Sequence, residues 1–145
     1  MAVTGFLYGL VFTSLWNKEI DYDTDVIKCS LHTSTYVPAQ DTDDYFNDAT
    51  NEITGTGYTA GGATLASKPV TYTAATNKHV LDAADASWTS STLTARYAVV
   101  YDASPASGAT RPLIGYQNFG SDVSTSGGTL TIQWHESGIV EITVS

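Results

Sequence analysis

Residues able to do chemistry are unevenly spread along this chain. Fifteen Asp and Glu stand against six Lys and Arg, three His and one Cys, and nine of the acids fall between Glu19 and Glu52. Hard cations need several oxygens presented together, and Asp21-Tyr-Asp-Thr-Asp25 opens as a calcium loop does. That loop then requires Gly at its sixth position and Glu at its twelfth, where the chain has Val26 and His32. The stretch therefore reads as a solvated acidic turn, with weak calcium binding left open at Asp41, Asp43 and Asp44. His32, His79 and His135 lie far apart without the spaced second ligand that zinc demands, and each reads as a surface or strand-edge residue.

Nucleophilic chemistry fares no better. Cys29 alternates with Ile27 and Leu31, the pattern of a small core residue, and as the sole cysteine it has no partner for an intrachain disulfide. There is no Gly-x-Ser-x-Gly elbow and no P-loop; the glycines of Gly55-Thr-Gly-Tyr-Thr-Ala-Gly61 have the spacing of turns. Abundant acids offer many carboxylate pairs, but nothing in the sequence marks two of them as raised and lowered in pKa. No catalytic residue, metal or cofactor is expected. Nine tyrosines and three tryptophans remain. They serve either sandwich packing and interfaces or a sugar-stacking platform, and Trp88 and Tyr58 are the pair a platform would use.

The elements that position these residues are mostly strands. Val26–Thr33 alternates Ile27, Cys29 and Leu31 inward against Lys28, Ser30 and His32 outward. Further alternations occur at 63–65, 70–73, 79–83, around Trp88, and at 93–101, 113–119, 130–134 and 139–144, each bounded by turn residues. Leu93–Tyr101 places Leu93, Ala95, Tyr97, Val99 and Tyr101 on one face and Arg96 on the other. Ala98 and Val100 apolar beside Arg96 mark a central strand. Trp134-His-Glu-Ser-Gly-Ile139 reads as a hairpin turn joining the last two strands. Residues 34–62 form a long connection with a helical turn near Tyr45 and Phe46. In the opening segment Leu7, Leu10, Val11 and Leu15 fall at helical spacing with Thr4 as cap, while Gly5 and Gly9 keep a strand open. The fold expected is mainly β: a single-domain antiparallel β-sandwich over residues 1–145, jelly-roll-like, with a short N-terminal helix.

Composition narrows the partners. A net charge of −9 and a pI near 4.3 argue against nucleic acid and anionic membranes, because six scattered cations cannot neutralise a row of phosphates. The apolar run from Val3 to Trp16 has no basic residue before it and no small-x-small site before Lys18, and it is too short to cross a bilayer. A protein made and used without secretion is expected.

Four segments, Asn17–Lys28, Asn51–Leu65, Ser91–Tyr101 and Pro112–Gly120, resemble a family of small proteins encoded among the structural genes of tailed bacteriophages. The resemblance runs in order through nearly the whole chain and carries no catalytic residues. It implies a virion component assembled in the host cytoplasm, most simply a capsid decoration or cement protein that sits on the head surface as a homotrimer and binds the major capsid protein. A tail, neck or fibre component is the alternative within that class, and a carbohydrate-binding host-attachment module the alternative outside it. The contact candidates are Phe6 and Trp16 in the apolar N-terminal segment, and Tyr45 and Phe46 in the acidic Pro38–Glu52 loop.

Overall fold

The computed structural model describes residues 4–145; Val3, at the start of the apolar run, lies outside them. Ten strands and one helix follow in order: β1 (Thr4–Leu7), α1 (Val11–Trp16), β2 (Ile27–His32), β3 (Ala63–Thr64), β4 (Val70–Thr73), β5 (Lys78–Leu81), β6 (Ala86–Ser91), β7 (Thr94–Asp102), β8 (Leu113–Ser124), β9 (Gly128–Ile132) and β10 (Val140–Thr143). The chain is a mainly β, sandwich-like domain in which the paired strands run antiparallel. One layer is a five-stranded sheet in the order β1-β8-β7-β2-β3. Opposite it lie a three-stranded sheet, β10-β5-β4, and a two-stranded sheet, β6-β9. Between them sits an aliphatic core that includes Ile27, Cys29, Leu31, Ala98, Val100 and Ile114 from the large sheet and Trp88, Leu130, Ile132 and Val140 from the small ones. Burial raises the Cys29 thiol to about 12, in keeping with a core residue.

The opening segment divides. Thr4 heads a strand rather than capping a helix, because Thr4–Leu7 pairs with Gly115–Asn118 of β8. A Cβ on Gly115 would lie 2.8 Å from the Phe6 carbonyl oxygen, so this close approach needs glycine. The helix begins only after Leu10 and lasts six residues.

On β2 the outward assignment fails for Ser30 and His32, both of which are fully buried. Residues 34–62 fold back over that face and satisfy its polar groups. His32 Nδ1 donates to the Thr50 carbonyl at 2.8 Å, and Nε2 accepts from Ser30 Oγ at 2.9 Å. The large sheet is therefore covered on both sides, and its second face carries a separate cluster of Tyr8, Tyr36, Tyr97, Val99, Tyr101 and Leu113.

β7 is central, as its composition predicts, but its residues do not keep one face throughout. Pairing with β8 shifts between Ala95 and Tyr97, where Phe119–Asp122 of β8 stand opposite Arg96 alone. Ala95 faces the aliphatic core, and so do Ala98 and Val100, while Tyr97, Val99 and Tyr101 face the other way. The irregularity at Arg96 exchanges the faces. Arg96 there reaches Asp122 at 3.6 Å.

The last two strands are not a hairpin. Their turn is present, with Gly138 N–H donating to the His135 carbonyl at 2.8 Å. Yet β9 pairs with β6, and β10 pairs with β5. Trp134 is drawn toward Asp85 and Ala84, and Ile139 toward Leu81, so the two legs diverge below the turn.

Candidate docking site

The two segments expected to make contacts are about thirty residues apart in sequence and adjacent in space. Gly9 N–H donates to the Gln40 carbonyl and Gln40 Nε2 to the Leu7 carbonyl, both at 2.8 Å. Tyr8 Oη donates to Tyr36 Oη at 2.7 Å, and Tyr36 Oη in turn donates to Asp43 Oδ2 at 2.9 Å. Tyr45 Oη donates to Glu19 at 3.2 Å, tying the acidic loop to the residues just after α1.

Phe6 is 40% exposed on this composite face, its ring stacked on Tyr116 at 5.2 Å, with Tyr8 beneath at 5.0 Å. Burial raises the Tyr116 phenol, and the charges of Tyr97, Asp43 and Asp41 push it further. Trp16, at the end of α1, is 83% exposed. Burying so large a side chain would remove a correspondingly large apolar surface from water. Tyr45 is half-buried. Phe46 is also half-buried, stacked on Tyr101 at 3.9 Å and edge-on to His32.

Phe6 also stands at the rim of a cleft of about 780 Å³ between the diverging legs of β9 and β10. Gly5, Leu7, Gln117 and Phe119 form one wall, and Thr131–Gln133 with Val140 and Glu141 the other. Gln117 Oε1 is buried here without a hydrogen-bond partner among the described residues. Gln117 and the cleft carried no local signal: they acquire their places from the pairing of β1 with β8 and the divergence of β9 from β10.

Two other constellations have the residue types for chemistry. Asp102 is fully buried, and burial together with Asp25 raises its carboxyl to about 6. Burial also opposes ionisation of Asp25, but neighbouring Asp102 and the Asp21 N–H outweigh it and hold Asp25 low. A raised and a lowered acid thus exist as a pair. Asp102 Oδ1 accepts from the Ser104 N–H at 2.8 Å and Asp25 Oδ2 from the Asp21 N–H at 2.7 Å, while Asp102 Oδ2 is buried without a partner among the described residues, so the two acids serve the loop packing rather than flanking a sugar and a water. In the neighbouring acidic turn the Lys68 ammonium lies 2.6–3.2 Å from the carbonyls of Tyr22, Asp23 and Asp25, so the cation there is the protein's own. Among the described residues no group of three or more His, Cys, Asp or Glu is placed to hold a metal ion. Trp88 is buried and stacks on half-buried Tyr58 at 6.0 Å, and both contribute to the core rather than to an exposed sugar platform. No family model, curated protein or solved structure matches this chain.

Proposed function

We propose that this protein is a structural component of a tailed-bacteriophage virion, a decoration or cement protein that docks on the head surface and bridges neighbouring shell subunits. The observation that carries the reading is exposed aromatic surface beside acidic residues at two places, Trp16 at the end of α1 just before Glu19, and the Phe6–Tyr116 stack over Tyr8, whose hydroxyl chain leads to Asp43, on a fold with no metal-holding cluster among the described residues. Its chemistry fits a partner surface with apolar sockets and basic side chains: aromatic faces attract guanidinium and ammonium groups, and flanking carboxylates pair with them. The major capsid protein is the proposed partner, with any threefold grouping imposed by the shell lattice. The role requires no catalytic step and no cofactor.

The test is to add purified protein back to particles assembled without it and to locate and count the bound copies by cryo-electron microscopy. Hundreds of copies on the head are expected, falling by more than about tenfold in occupancy for Trp16→Ala with Phe6→Ala, a loss of more than ~1.4 kcal/mol per site. A few copies at the neck or tail would overturn the head assignment, and unchanged occupancy in the variant would overturn this face as the contact.

A further inference from the structure

β4 is an open edge of the β10-β5-β4 sheet, and all four of its residues are exposed, Val70 by 49% and Tyr72 by 50%. Sheet edges present unpaired N–H and C=O groups, and proteins blunt them with charges, prolines, bulges or short length. The other edges carry such devices. β3 has two residues, β6 is irregular between Trp88 and Ser91, β10 carries Glu141, and β1 and β9 border the cleft. β4 carries none. From Pro69 to Asn77 there is no charged residue, and the hairpin is flanked by Lys68 and Lys78. In a molecule of net charge −9 this is a stretch that a second copy can approach with little like-charge repulsion.

The register fixes which groups are free. Asp82 N–H donates to the Pro69 carbonyl, so Pro69, Thr71 and Thr73 bond toward β5. The backbone N–H and C=O groups of Val70 and Tyr72 then point out of the sheet. Tyr72 stays extended because its ring packs on His79 at 4.6 Å and its hydroxyl donates to Asn77 at 3.1 Å.

We infer that β4 pairs antiparallel with β4 of a second copy about a two-fold axis at Thr71. Val70 of each copy then faces Tyr72 of the other, exchanging four backbone hydrogen bonds and forming two valine–aromatic cross-strand pairs. Thr71 meets its own counterpart. The contact is isologous, joining the two three-stranded sheets into one of six. Its small size makes it weak between free molecules and effective where many copies are held side by side. It involves none of the composite face and does not rest on the virion role.

Thr71→Cys tests it, because residues facing each other in a non-hydrogen-bonded pair lie about 4.5 Å apart at Cα, within disulfide reach. Cys29 is buried and contributes no background. Under mild oxidation at high protein concentration, Thr71→Cys is expected to form covalent dimer about tenfold faster than Thr73→Cys, which sits on the same exposed strand but away from the axis. Adding Val70→Lys and Tyr72→Lys, both at exposed sites, should abolish that advantage, and sedimentation should show the doubly charged variant monomeric where the parent dimerises. Equal cross-linking of the two cysteine variants, or dimerisation unchanged by the lysines, would overturn the pairing.

Discussion

The two faces of the large sheet are built on different principles. One is closed by other strands and by α1, and its cluster is mostly aliphatic. The other is closed by residues 34–62, an irregular connection that pairs only through isolated bridges at Tyr45, Glu52 and Thr56, and its cluster is mostly tyrosine. A sheet meeting a sheet leaves few polar groups to satisfy, so hydrocarbon suffices. An irregular cover brings unpaired carbonyls and carboxylates with it, and tyrosine and histidine supply the donors they need. Adjacent residues of β7 sample both environments, since Val99 faces the tyrosine layer and Val100 the aliphatic core, each almost fully buried.

That pair gives the largest expected effect. Val100→Ala should cost about 2–3 kcal/mol, because rigid strands on both sides cannot collapse into the space left behind. Val99→Ala should cost less, about 1–2 kcal/mol, because the loop can settle inward. Urea denaturation of the two variants decides it, and equal losses would mean the loop is packed as firmly as a sheet.

Electrostatics sharpen the contrast next. The folded chain holds the Asp102 proton more tightly than the unfolded chain does, so the stability it contributes is full below pH 3.8 and is lost as pH rises through about 6. Asp102→Asn should therefore gain about 1–3 kcal/mol at pH 7 and flatten the stability profile between about pH 4 and 6. An unchanged profile would show that burial does not hold the Asp102 carboxyl protonated in the folded chain.

On the tyrosine side the sign reverses. Burial lowers the His32 pKa, so its contribution is full above pH 6.5 and lost as pH falls through the folded value. His32→Gln, which keeps a donor for the Thr50 carbonyl, should remove this acid sensitivity at a cost of about 1 kcal/mol in neutral solution. His32 titrating at its ordinary value by NMR would contradict the buried network.

The smallest effect belongs to Tyr8→Phe. It removes the hydroxyl that donates to Tyr36 and should cost about 1 kcal/mol, where the same change in a purely apolar layer would be neutral. A stabilised variant would mean that the hydroxyl chain from Tyr8 through Tyr36 to Asp43 contributes nothing.

What the sequence determined by itself was local. Alternation at 26–33, 70–73 and 113–119 and the turn residues between strands depend on neighbours a few positions away, and strands form at those places, β2 over Ile27–His32 and β8 running on to Ser124. The inward position of Cys29 follows in the same way. Tertiary structure decided everything that depends on a distant partner. Alternation says that Ser30 and His32 oppose Leu31, but not that residues 34–62 will cover them. It cannot reveal the extra residues of β8 that exchange the faces of β7 at Arg96, nor that β9 and β10 prefer β6 and β5 to each other. The period of a strand reports its own pleat, whereas burial, register and open edges are set by whichever other segment arrives to pair with it.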